Sequence, residues 1–255
     1  MDTKQKIQMA IDTAMTLLSV VLMGGTVLFP DDRVHQVLGM VLLALWLVHT
    51  VLHRAWYAAL FRGKYPPYRV MQIVVNGGIS ACALLLMASG MMMAWFVPSE
   101  LVGGALGFAR TAHLVSSHWY YLFMCAHLGM HIGMIFNRIK AKRAGQTESA
   151  DRAGDWRSAD SHDTPGHRKP LARKVIFRVL LALVCGYGVY AFIVRGIGKY
   201  LFLRQQFFFL DLERGYLLFA VDYLAILVLF AAASHYLSKA LLAIPKRKRS
   251  KHNGL

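Results

Sequence analysis

Six apolar stretches, each long enough to cross a bilayer, alternate with polar breaks along the chain. About 20 apolar residues in a helix span the hydrocarbon core. The pattern therefore predicts an all-α polytopic membrane bundle of about six transmembrane helices. The first expected helix runs from Ile7 to Phe29 and is closed by Pro30 with Asp31 and Asp32. The second runs from Val34 to Leu60 and gives way to the basic loop FRGKYPPYR, where Pro66 and Pro67 break the helix. The third runs from Val70 to Phe96 and ends before Pro98, and SELVGGALGF leads to the fourth, Ala109 to Phe136. The fifth covers Val175 to Val194 and the sixth Tyr216 to Ile244. Between these two, RGIGKYLFLRQQFFFLDLERG is aromatic and amphipathic, as expected of a segment lying at the membrane interface.

Residues 138–174 change character, with ten Lys or Arg against five Asp or Glu and no hydrophobic period. They read as a flexible basic linker. His162 and His167 within it, beside Asp163, read as solvated loop residues. The expected organisation is a four-helix core over 1–137, the linker over 138–174, a two-helix membrane hairpin with its interfacial segment over 175–244, and a basic tail over 245–255. Lys4 and Lys6, the Arg62–Arg69 loop, the linker and the Lys246–Lys251 tail all fall on one side of this topology. The positive-inside rule then puts both termini in the cytoplasm. The second and fourth helices run parallel, from outside to inside.

Composition agrees with a lipid environment. The 255 residues are 56% hydrophobic, and mean hydropathy is +0.43. The net charge of +16 gathers in loops, linker and tail, which is a topology signal, and no nucleic-acid-binding motif is present. Cys82, Cys125 and Cys185 each sit in an apolar segment and read as small buried side chains. The absence of C-x-x-C-H excludes covalently attached c-type haem. The N-terminal apolar run lacks a convincing small-x-small cleavage site and reads as a retained helix.

Against this background the histidines stand out. His35, His49 and His53 repeat as His113, His127 and His131, both sets reading H-x13-H-x3-H with an offset of 78 positions. Fourteen residues of helix rise about 21 Å and fall roughly 40° short of four turns, and eighteen rise about 27 Å and complete five. Each set thus lies near one face, at two levels close to opposite ends of its helix. Two parallel helices of this kind offer a pair of imidazoles at each level, the arrangement needed to hold two b-type haems by bis-histidine ligation. Ionisable side chains within a bilayer default to a functional reading. His35 and His113 form the outer pair. At the inner level both the 14-residue choice (His49, His127) and the 18-residue choice (His53, His131) keep the rings on the right face. The shorter spacing resembles that of cytochrome b subunits in quinol-oxidising complexes, which favours His49 and His127. Arg33 and Arg110, just before the outer histidines, are the candidate propionate partners, with Arg54 and Arg138 as weaker counterparts inside. Gly39 and Ser117, one turn after His35 and His113, leave room for a porphyrin. Asp222 is a candidate quinone-site acid or a partner for Arg195 or Lys199.

The blocks VHQVLG and VHTVLH, ARTAHLVSS and AHLGMH, and the closing RGIGKYLFLRQQFFF, DYLAILVLF and HYLSK resemble the flavinylation-associated cytochrome family, over nearly the whole chain apart from linker and tail. The resemblance implies a bacterial inner-membrane cytochrome b acting with extracytosolic flavin-bearing proteins. It matches His35, His49, His113, His127 and His131 to the family's histidines, and sets His53 where other members can carry asparagine. No flavinylation motif is apparent here, so a flavin belongs to a partner.

The expected function is electron relay between a quinol or cytoplasmic-side donor and an extracytosolic, flavin-bearing redox partner. The chain is then a carrier or the membrane subunit of an oxidoreductase rather than a stand-alone enzyme. The alternative is a histidine-based metal-ion or proton transporter, for which only Asp12 and Asp222 are candidate acids. A third reading is a structural anchor whose basic linker recruits anionic lipid or a partner.

Overall fold

The computed structural model describes residues 3–25, 28–29, 31–154, 169–205, 207 and 215–252, with backbone alone for Lys4, Ser99, 134–154, 169–174 and 245–252. All regular elements among them are helical: α1 (Thr3–Leu22), α2 (Asp32–Leu52), α3 (Arg54–Ala58), α4 (Pro67–Met92), α5 (Ser99–Val102), a 3-10 turn (Gly103–Ala105), α6 (Leu106–Gly154), α7 (Lys169–Val194), α8 (Ile197–Leu201) and α9 (Gly215–His252). The chain is an all-helical membrane protein. Four stretches are long and apolar enough to cross a bilayer: Asp32–Leu52, Pro67–Met92, Val175–Val194 and Gly215–Ile244.

The helix ends follow from local chemistry. Asp31 caps α2, its carboxylate accepting the Arg33 N–H at 2.9 Å. The second helix does not run to Leu60 as the sequence pattern predicts. It stops at Leu52, with His53 as its C-cap, and the short α3 follows. Arg69 then reaches back to the carbonyls of Ala59 (2.6 Å), Leu60 and Lys64, which the end of α3 and the following turn leave without helical partners. Pro67 starts α4, where its missing N–H is no loss. The first helix ends at Leu22 and α4 at Met92, both short of the expected Phe29 and Phe96. Helical backbone continues through much of the predicted linker, to Gly154 and again from Lys169, and through the tail to His252. Residues 155–168 of the linker, with His162 and His167, and the last three tail residues lie outside the described residues.

Packing centres on α6, which lies against α4 and α9, while α7 packs against α9 and α1 pairs with α2. One core cluster joins Val20, Met23, Tyr121, Cys125, Ala191 and Ile226, and a second joins Trp46, Ala83, Leu86 and Tyr120. Ile176, Phe177, Leu180, Leu183 and Ile193 on α7 turn outward, as lipid-facing residues do. The predicted interfacial stretch begins with α8, whose Ile197, Tyr200 and Leu201 are buried in the protein. Trp119 of α6 donates its indole N–H to the Leu201 carbonyl at 3.1 Å, and His118 stacks on Tyr200 with centroids 4.5 Å apart. Residues 206 and 208–214 of that stretch lie outside the described residues.

Two features lock α9 in place. Small residues let the backbones meet: a Cβ on Gly129 would lie 2.2 Å from the Ala231 carbonyl oxygen, and one on Gly188 2.6 Å from that of Ala225. The second is a buried ion pair. Arg195 Nε donates to Asp222 Oδ2 at 2.7 Å, with the two side chains 7% and 3% exposed, and the Tyr187 hydroxyl donates to Asp222 Oδ1 at 2.5 Å.

Two predictions follow from these contacts. Gly129→Ala forces α6 and α9 apart and is expected to cost about 1–3 kcal/mol, read as a lower midpoint of thermal unfolding in detergent. Asp222→Leu alone strands a buried guanidinium and is expected to cost about 3–5 kcal/mol. Combined with Arg195→Met, most of that loss should be recovered, and a double-mutant cycle in the same assay measures the coupling.

Candidate functional site

The two histidine sets fall on α2 and α6, helices that face each other through side chains rather than through a closely packed backbone seam. Because α4 runs between them in sequence and antiparallel to both, α2 and α6 are parallel, and the repeat meets level for level.

At the outer level the rings of His35 and His113 have centroids 6.3 Å apart and planes at 65°. Metal–imidazole bonds of about 2.0–2.1 Å, with roughly 1.1 Å more from nitrogen to ring centre, put two imidazoles on opposite sides of one ion about 6–6.5 Å apart. The spacing therefore fits an iron held between the two rings. His113 donates its Nδ1–H to the Leu86 carbonyl at 3.2 Å, and Ser89 Oγ lies 3.4 Å from the same nitrogen. The carbonyl can only accept, so the tautomer is set and Nε2 keeps its lone pair. His35 packs against Phe29, with centroids 6.2 Å apart. Its buried Nδ1 has no partner among the described residues. Gly39 faces open space, whereas Gly90 is backed by the His113 ring, 3.2 Å from where a Cβ would sit.

The inner level repeats the logic with other partners. His49 Nδ1 lies 2.7 Å from Asp12 Oδ1 on α1, and His127 Nδ1 lies 2.8 Å from Asn76 Oδ1 on α4. Both oxygens accept, so each ring again presents Nε2. A second nitrogen held by a carboxylate or carbonyl is the usual surrounding of a metal-bound histidine, fixing the ring and raising its basicity. The rings of His53 and His131 lie tilted beside those of His49 and His127, both with centroids 4.5 Å apart. Asp12, His49, His53 and His131 all lie close enough to the His127 ring to interact with it electrostatically. Ligand atoms of Asp12, His49 and His53 also lie within 4.8 Å of one another.

The remaining expected site residues are more peripheral. Arg33 and Arg110 are exposed, two and three residues before the outer histidines, and the Arg33 guanidinium lies 5.3 Å over the Trp95 ring. Arg54 is exposed at the start of α3, and the Arg138 side chain lies outside the described residues. Asp222 pairs with Arg195, one of its two expected partners. Sequence reasoning passed over Asn76 and Ser89, and gave Asp12 no role toward a histidine. A lone amide and a lone carboxylate in apolar helices were the available signals, since such groups must find partners inside the bilayer. His118 is 2% exposed and donates Nδ1–H to the Leu114 carbonyl at 2.7 Å, a packing role consistent with its place off the repeat.

Compared with family profiles, curated proteins and solved structures, the chain gives no match.

Gly90 offers a direct test of the outer level. Gly90→Val should displace the His113 ring and remove the reduced-minus-oxidised haem absorbance expected of this pair. Gly77→Val, at a position with nothing within 4 Å, should leave the spectrum unchanged.

Proposed function

We propose that the chain is an integral di-haem cytochrome b of the flavinylation-associated type, which relays electrons across a bacterial cytoplasmic membrane. In this reading six helices cross the bilayer. α1 and α6 are spans whose composition is made more polar by Lys4, Lys6 and Asp12 on one and by His113, Ser116, Ser117, His118, His127 and His131 on the other. Both termini are cytoplasmic. The observation that carries the reading is the facing pair His35 and His113, at the separation of two imidazoles on one ion, with a second histidine cluster at the other end of the same two helices. The bound haems supply reversible one-electron chemistry. The protein's own part is to hold the rings, exclude water and set the potential through hydrogen bonds and burial. His49 and His127 are the proposed inner ligands, because both have their Nδ1 hydrogen-bonded to a neighbouring helix. His53 caps α2 at the end of that helix, beside the proposed ligand. Arg33 and Arg110 are placed to meet outer propionates. A quinol or cytoplasmic-side donor supplies electrons, and an extracytosolic redox protein, with flavin on the partner alone, removes them. The chain is then a carrier or the membrane subunit of an oxidoreductase.

The second reading, a metal-ion or proton transporter, draws on the Asp12, His49 and His53 cluster. One experiment separates the two. Purified protein should show a sharp reduced α-band and about two haems per chain by pyridine haemochrome. His113→Ala and His127→Ala should each remove one haem, and His53→Ala none. A colourless protein from haem-replete cells that binds a divalent cation would select the transporter.

A further inference from the structure

The two ends of the site are not equivalent in charge. At the outer level the partners of His113 are neutral, the Leu86 carbonyl and the Ser89 hydroxyl. At the inner level His127 also has a neutral partner, Asn76, but His49 is held at 2.7 Å by the carboxylate of Asp12. We propose that Asp12 is a positioning residue that makes the inner haem site the lower-potential of the two, so that electrons run from the cytoplasmic side outward. This rests on the di-haem reading above.

The physical reason is the charge on the iron. A ferric haem carries one more positive charge than a ferrous one. A carboxylate accepting the ligand's Nδ1–H pulls the imidazole toward imidazolate and stabilises the oxidised form. The Asp12 side chain is 48% exposed, so its effect rests on the direct 2.7 Å hydrogen bond to the His49 ring rather than on burial. The outer level has acids nearby in Asp31 and Asp32, and Asp32 is within electrostatic reach of His35. Both are exposed at the aqueous end, with the cation Arg33 beside them, and solvent and salt screen them. The Asp31 carboxylate is engaged as the cap of α2. With haem bound at both levels, His49 and His127 would hold the group of lower potential and His35 and His113 the group of higher potential. One-electron transfer from a quinol or cytoplasmic-side donor to the extracytosolic partner would then run downhill outward, with no proton required of the protein.

The test is an optical redox titration of the full-length protein in detergent, for the native chain, Asp12→Asn, Asp12→Glu and His113→Ala. The native chain should titrate in two components. Asp12→Asn keeps the hydrogen-bond acceptor but not its charge. It should raise the lower midpoint toward the upper one and leave the upper unmoved, while Asp12→Glu should restore much of the separation. His113→Ala, which keeps only the inner haem, should titrate at the lower midpoint, and this arm stands even if Asp12→Asn loses haem. The proposal is overturned if the native chain titrates as one component, if His113→Ala retains the higher midpoint, or if Asp12→Asn shifts neither midpoint or the upper one. Absence of an α-band in the native chain would instead overturn the cytochrome reading itself.

Discussion

The hydrogen bonds from His113 to the Leu86 carbonyl, from His127 to Asn76 and from His49 to Asp12 set the orientation of the site, because a polar ring drawn into a helix interface must find its partner in the protein. Each bond crosses from one helix to another. Together they tie α6 to α4 and α2 to α1, pairs that are also packed against each other. Each also fixes a tautomer, so that the ring nitrogen away from the bond carries the lone pair. The gap between α2 and α6, bridged by side chains rather than backbone, is where the two histidine sets meet, and it is the feature on which the proposed cofactor site depends.

The C-terminal helices serve this arrangement from behind. α9 packs against both α6 and α4, and glycines at 129 and 188 bring the backbones of α6, α9 and α7 close together. The Ser234 hydroxyl donates to the Ala126 carbonyl at 2.6 Å, and the Tyr121 hydroxyl donates to the Tyr223 carbonyl at 2.6 Å, so α9 is pinned to α6 at both ends of the contact. The buried Arg195 and Asp222 pair is isolated from water and gains its value from geometry and the additional Tyr187 bond. The α8 turn packs on α6 through Tyr200 on His118 and through the Leu201 carbonyl, which accepts from Trp119.

Much of this was legible along the chain because lipid imposes strong rules. Apolar runs gave the helices, prolines gave the break before α4, and the histidine spacing gave two levels on each of two helices. The misplaced boundaries have specific causes. α2 stops at Leu52 although the apolar pattern runs on, and the polar stretch from Arg138 to Gly154 continues α6 as helical backbone where composition suggested a flexible linker. Hydropathy reports which environment a residue prefers, and it says little about where a helix ends. α6 also shows how composition misleads in the other direction. Ser116 and His118 on it are buried, each 2% exposed, so the most central helix is among the more polar ones.

By itself the sequence determined the helical class, the membrane setting, and the two matched sets of three histidines, because periods of 3.6 residues and runs of about 20 follow from helix geometry and bilayer thickness. Only the tertiary structure decided the partners. Asp12 reaches a residue 37 positions away, Asn76 one 51 away, and Asp222 is bonded by Arg195 27 positions earlier. Those choices depend on which helix faces lie against each other, and hence on the fit of small residues and the need of each buried polar group for a partner, which no local pattern encodes.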